Sequence, residues 1–122
     1  MKIKDIIAIT LLLTSAIIGI LMISVFRQQQ EPLYFAGTYI GTAEGNHGPI
    51  TVSVTTDDYR ILDINIVEEY EMPEVSVYVY DEMPEKMIKR NTWDVDVVTG
   101  ATYTSQGVIN AVQNALDQGM RQ

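Results

Sequence analysis

Ile50-Thr51-Val52-Ser53-Val54-Thr55 is the stretch on which the fold turns. Apolar and hydroxyl side chains alternate there at period two, the mark of a strand with one buried face. Before it, the turn residues Glu44-Gly45-Asn46-His47-Gly48-Pro49 lead back to a shorter strand-like run, Gly37-Thr38-Tyr39-Ile40-Gly41-Thr42-Ala43. After it, Thr56-Asp57-Asp58-Tyr59 turns the chain into a third strand, Ile61 to Val67. In that strand Ile64 and Ile66 are expected on one face, with Ile61 and Asp63 toward the other. Three strands joined by short turns make an antiparallel meander.

Beyond the meander, Val75 to Tyr80 (VSVYVY) alternates again, and a further strand or an irregular segment is expected. Asp81 to Arg90 is expected to be a helix, with Asp81 or Glu82 near its start and Pro84 in its first turn. Met87 and Ile88 would face inward. The last element is better marked. Ser105 suits an N-cap, and Val108, Ile109, Val112, Ala115 and Leu116 recur at helical spacing. Gly119 stands where a C-cap glycine belongs, and Gln113, Asn114, Asp117 and Gln118 take the wet face. The expected fold class is α+β: a small antiparallel sheet packed with a C-terminal helix.

Upstream, Ile6 to Phe26 (IIAITLLLTSAIIGILMISVF) holds no charge and no proline. As a helix it would extend roughly 31 Å, about one hydrocarbon core. A cleaved signal peptide is the alternative, but such segments have shorter apolar cores and a small-residue cleavage site. Here the run ends at Val25-Phe26-Arg27-Gln28, and an uncleaved single transmembrane helix is the expectation. Lys2 and Lys4 precede the span and Arg27 follows it, a modest bias that places the N-terminus in the cytoplasm and the remainder outside it. The expected organisation is therefore a membrane anchor over 1–27, a polar tether over 28–35 and one domain over 36–122.

Composition narrows the chemistry. The 122 residues include no cysteine, which excludes a disulfide scaffold, a thiolate iron–sulfur cluster and a lipoprotein anchor. A single histidine, His47, lies in a glycine turn and is expected to be exposed and inert, so no metal site is expected. The formal net charge is −8, and two of the 8 basic side chains, Lys2 and Lys4, lie before the apolar run. The rest of the chain repels nucleic acid, so no nucleic-acid partner is expected; plain solubility would demand a similar surface. Glu68, Glu69, Glu71 and Glu74 are expected to form a solvated edge.

The chemically informative stretch is Asp96-Val97-Val98-Thr99-Gly100-Ala101-Thr102-Tyr103-Thr104-Ser105. Hydroxyls at Thr99, Thr102, Thr104 and Ser105 would suit a helix-capping loop. The pattern is more specific than that. It resembles the acceptor motif of bacterial flavin transferases, Asp-x-x-(Ser/Thr)-Gly-Ala-Thr, and a chance match in such a chain is on the order of one in ten thousand. Gly37 to Gly41, the Gly45–Pro49 turn and the strand pair to Val67 also resemble the opening of the FMN-binding domain family. Thr102 to Ser105, with Val108 and Ala111, resembles its close. The resemblance covers most of residues 36–118. That family includes the flavin subunits of the sodium-pumping NADH:quinone reductase and of the Rnf complex, and small flavoproteins of extracellular electron transfer.

The resemblance implies that a separate flavin transferase, using FAD and a divalent metal, links FMN by a phosphoester to Thr102. It implies cofactor-binding roles for Asp96, Thr99, Gly100, Ala101, Tyr103, Thr104 and Ser105. Family members often carry Glu-Thr-Pro-Gly after the second long strand, where this chain has Glu71-Met72-Pro73-Glu74. No Arg or Lys lies between Arg90 and Arg121, which argues separately for a covalent tether over ionic capture of a phosphate unless folding brings Arg60 or Lys86 close. Tyr103, Trp93, Tyr70 and Tyr78 are candidates to flank a ring. No catalytic residues are expected. The chain is expected to be an electron carrier working with a membrane redox partner. An accessory flavin subunit of a membrane oxidoreductase complex, and a non-redox anchored binding module, stand as alternatives.

Overall fold

Period-two alternation has the outcome it dictates in strand β2 (Pro49–Thr56). Ile50, Val52, Val54 and Thr56 are buried, while the hydroxyls between them sit on the open face. The computed structural model describes residues 2–28 and 31–122. β2 is the centre of a three-stranded antiparallel sheet in the order β1-β2-β3, with β1 over Gly37–Glu44 and β3 over Ile61–Glu68. On the open face, hydroxyl pairs Thr38–Thr55 (3.0 Å) and Thr42–Thr51 (3.1 Å) cross between β1 and β2. The expected meander is present.

β3 departs from simple alternation. Its register against β2 slips twice, leaving Leu62 and Val67 as extra residues. A bulge reverses the phase of the side chains that follow it. Ile61 is therefore buried on the same face as Ile64, and not on the opposite one as the alternation suggested.

Helix α1 runs Ile3–Gln28. Its stretch Ile3–Ile23 is long and apolar enough to cross a membrane, and none of it is buried in the protein; a signal sequence has the same character. Residues 29 and 30 of the expected tether lie outside the described residues. The compact unit that follows covers Pro32–Gln122. The Leu33 and Tyr34 N–H groups donate to the Asp58 carbonyl, Phe35 donates to Gly119, and Arg121 donates to Leu33. Tyr34 is buried and pairs with Met120.

No strand forms at Val75–Tyr80. That segment is the first half of helix α2, which runs Pro73–Arg90 and begins eight residues before the expected start at Asp81. The buried positions Ser76, Val79, Met83 and Met87 follow helical spacing, and the exposed Val77 and Tyr78 complete the apparent alternation only by chance. Pro73 occupies the first turn, where its missing N–H is harmless, whereas Pro84 lies inside the helix and not in its first turn. Met87 is fully buried and Ile88 half-buried against the core. Asn91 ends the helix in the left-handed region at φ 57°, and its side chain bonds Ile61 N–H and the Tyr59 carbonyl, pinning α2 to the β2–β3 turn.

Helix α3 (Thr102–Gly119) lies against β1 and β2, and α2 packs on β3. The approach of α3 to β1 is close. A Cβ on Gly41 would lie 2.6 Å from the Ala115 nitrogen and overlap the Ala111 carbonyl, and one on Gly107 would lie 2.9 Å from the Gly45 Cα. Asn114 and Gln118, on the expected wet face, reach back to the β1 backbone at Thr42 N–H (3.2 Å) and the Ile40 carbonyl (2.7 Å). Gly119 is the last helical residue and not a left-handed cap; the chain leaves through Met120 in extended conformation. A side chain at Gly119 would collide with the Tyr39 ring, which is why a glycine stands there.

Gly41→Ala should therefore cost about 1–3 kcal/mol, because the clash is with helix backbone that has nowhere to move. Thermal unfolding of the detergent-solubilised full chain, followed by Trp93 fluorescence, should fall by roughly 4–8 °C for each kcal/mol lost.

Candidate functional site

The residues entering α3 are held by a tight turn. The Ala101 N–H donates to the Val98 carbonyl at 3.0 Å, enclosing Thr99 and Gly100, and Gly100 has φ +83°. That is the conformation a type II turn requires at its third position, and it favours glycine. Ser105 does not cap the helix from outside. α3 begins three residues earlier, and the fully buried Ser105 side chain turns inward to accept the Val98 N–H at 3.0 Å. Val98 is thus clamped from both sides, and the turn is fixed relative to the helix.

The first turn of α3 carries no side-chain cap and no acidic residue. The Ala101 carbonyl accepts the first helical bond from Ser105 N–H, so the N–H groups of Thr102, Tyr103 and Thr104 precede the helix's own ladder. Thr102 and Tyr103 are exposed, Tyr103 at 73%. Thr104 is buried and its hydroxyl donates to Glu71 at 2.9 Å.

Two clefts flank the turn and share Val75, Gly100 and Ala101. One is lined by Asn46, His47, Met72 and Thr102 to Thr104 as well. The other, about 370 Å³, is also lined by Glu74, Tyr78, Glu82, Val98 and Thr99. That volume is within the range of small-molecule sites. Of the expected site residues, Thr99 to Thr104 border these clefts. Asp96 is exposed in the preceding segment, and Ser105 is interior; neither lines either of these two clefts. Among the aromatics, Tyr103 and Tyr78 border the clefts. Trp93 packs half-buried on the core, and Tyr70 lies over Gly48 with its hydroxyl on Glu68.

Glu71 is not part of a solvated edge. It is 5% exposed, and its carboxylate accepts the N–H of Asn46 (2.5 Å), the N–H of His47 (2.6 Å) and the Thr104 hydroxyl. A side chain at Gly45 would overlap that carboxylate. Behind it, Glu69 accepts the Glu71 N–H at 2.8 Å and the Tyr80 hydroxyl at 3.1 Å. The sequence signal for this was its place just after the third strand and before a helix-starting proline. Met72 and Val75, also unforeseen, form the apolar side of the first cleft. His47 is exposed as expected, and it borders that cleft.

The sequence model of the FMN-binding domain family matches residues 45–117, a span that contains the glycine turn, Glu71, the Gly100 turn and α3. The chain belongs to this family. Among its relatives, the NADH:acrylate oxidoreductase of Vibrio harveyi is 32% identical over 90 residues, covering 73% of this chain and 9% of its own length. The urocanate reductase of Eggerthella lenta is 37% identical over 87 residues, covering 70% of this chain and 14% of its own. An uncharacterized protein of Treponema pallidum is 29% identical over 82 residues, 67% of this chain and 23% of its own. The chain thus spans between about a tenth and a quarter of the relatives it matches.

The features of this FMN-binding domain suit the nucleotide. The uncapped helix N-terminus offers N–H groups and a positive dipole end to a phosphate. Met72, Val75, Tyr78, Val98 and Tyr103 offer apolar and aromatic surface to a ring system. Among the described residues no Lys or Arg lines either cleft; Arg60 points to the far end of α2, at the Ile88 and Lys89 carbonyls.

Burial works to raise the Glu71 pKa, but hydrogen bonds from Asn46, His47 and Thr104, aided by the His47 charge, outweigh it and hold the group below its ordinary value. A carboxyl that binds its proton less tightly when folded stabilises fully above the ordinary carboxylate range, and loses that contribution as pH falls through the lowered folded value. Urea unfolding from about pH 7 to about pH 3 should show the wild type losing its advantage over Glu71→Gln toward the acid end. Parallel curves would rule this out.

Proposed function

We propose that this chain is an electron-carrying flavoprotein, anchored by α1 with its domain outside the cytoplasm, that holds one FMN by a phosphoester to Thr102. The observation that carries the reading is the position of the Thr102 hydroxyl. Thr104 and Ser105 are buried with their hydroxyls committed to Glu71 and to Val98 N–H. Thr99 is exposed as well, but it sits inside the Gly100 turn and lines the second cleft, away from the α3 N-terminus. Thr102 is exposed at the first position of an uncapped helix and lines the first cleft, where another enzyme can reach it.

In the attachment step the transferase opens the pyrophosphate of FAD. Thr102 Oγ1 would form a bond to the FMN phosphorus and give up its proton, while the bond from that phosphorus to the bridging oxygen would break and release AMP. Gly100 and Ala101 keep this approach uncrowded, and the free N–H groups at the start of α3 would hold the phosphate. Bound FMN supplies electron-transfer chemistry; the chain contributes position and electrostatics. A covalent link fits an acidic domain whose clefts, among the described residues, are lined by no Lys or Arg, since a tether replaces affinity by fixed proximity. The matching stretch in larger chains named as reductases supports a relay role, with a reductase unit or a membrane dehydrogenase as partner.

Full chain exposed to FAD, a divalent metal and a flavin transferase should gain the mass of one FMN less one water, and fluoresce on a denaturing gel. Thr102→Ala should gain nothing; a variant that still gains the mass would remove Thr102 as the acceptor. Made in cells, the chain should sediment with membranes and resist an alkaline wash. A soluble product starting beyond the apolar run would instead show that α1 is cleaved.

A further inference from the structure

Glu71 stands where two chain segments far apart in sequence meet to build one cleft. Asn46 and His47 come from the β1–β2 turn, Thr104 comes from the first turn of α3, and all three line the cleft that also holds Thr102. Each gives a hydrogen bond to the same buried carboxylate. Among the described residues, no other side chain bonds both segments. Glu69 fixes the Glu71 backbone from behind, so the carboxylate is supported as well as engaged. Charge-assisted bonds of this kind are stronger than neutral ones and favour a single geometry. The carboxylate also brings a negative charge out of water behind a cleft that, among the described residues, has no Lys or Arg in its lining.

We propose that Glu71 is the positioning residue of the flavin site: it locks the glycine turn to the start of α3 around Thr102, and its charge lowers the potential of the flavin carried there. This deepens the covalent-FMN reading and rests on it. Two physical consequences follow. With the lock intact, Thr102 is presented in one arrangement, so loading is fast. With a fixed negative charge nearby, adding electrons to the flavin is opposed, and the opposition is stronger in a low-dielectric interior than in water. Glu71 acts through Asn46, His47 and Thr104 and through its field, not by contact with the reacting oxygen.

The test uses the detergent-solubilised full chain with FAD, a divalent metal and a flavin transferase. Glu71→Gln keeps the shape, removes the charge and turns an acceptor into a donor facing an N–H. It should load about tenfold more slowly, the effect of one lost charge-assisted hydrogen bond. Its loaded form should have a higher midpoint potential by dye-equilibrated spectrophotometry. Asp117→Asn, which removes the same charge from the exposed side of α3, should match the wild type in both. Before any loading, the Asn46 and His47 amide resonances of Glu71→Gln should lose the downfield position of short bonds to a carboxylate.

Wild-type loading rate and potential in Glu71→Gln would overturn the proposal. So would slower loading with an unmoved potential, which would leave Glu71 a structural strut. A wild-type chain that never gains the flavin mass would sink the covalent reading and this inference with it. If Glu71→Gln does not fold, Thr104→Val removes one of the three bonds and keeps the charge; it should slow loading and leave the potential near that of the wild type, and wild-type loading would overturn the proposal.

Discussion

Helix α3 can lie directly on β1 only because side chains are missing or minimal along their contact. Gly41 on the strand and Gly107, Ala111 and Ala115 on the helix form a seam in which backbone nearly meets backbone. Dispersion falls steeply with separation, so this close seam gives the small sheet a well-packed partner that larger residues would hold off. The seam also sets the position of everything at the N-terminal end of α3. Gly107 abuts Gly45, which places the first turn of the helix beside the β1–β2 turn. The cleft around Thr102 is the space left at that junction.

The junction is polar where the seam is apolar. Buried carboxylates are rare because water solvates them so well, and one persists only when its oxygens find donors. Glu71 finds two backbone amides and a hydroxyl. The glycine turn is thereby tied down by backbone hydrogen bonds, so its geometry depends little on which side chains it carries. On the other side, Ser105 and Gly100 fix the entrance to α3 in the same manner, one by accepting a loop N–H and the other by adopting a positive φ. Thr102 is held between two constrained turns while its own side chain stays free of both.

The acidity of the chain has a different meaning once the site is seen. Net charge alone argues only about solubility and partners. Among the described residues neither cleft is lined by Lys or Arg, and the α3 N-terminus offers a positive dipole end beside them. A dipole end is a weaker holder than a cluster of guanidinium groups. The covalent link proposed at Thr102 would remove the need for one.

The sequence by itself determined the meander, the apolar N-terminal helix, the amphipathic closing helix and the motif around Thr102. Each is a local pattern: alternation in β2, an uninterrupted apolar run, helical spacing from Val108 to Leu116, and the Asp-x-x-Thr-Gly-Ala-Thr spacing from Asp96 to Thr102. Tertiary structure decided what local pattern leaves ambiguous. Val75 to Tyr80 alternates like a strand, yet the sheet ends at β3, and Pro73 starts a helix whose buried face continues to Met87. Ile61 changed faces because of a bulge, which depends on pairing with β2. Gly119 answers to the Tyr39 ring and not to a cap. Glu71 looked like one of four solvated carboxylates, because its three donors lie 24 to 33 residues away along the chain. Long-range contacts make a side chain structural, and a pattern read over a few neighbours contains none of them.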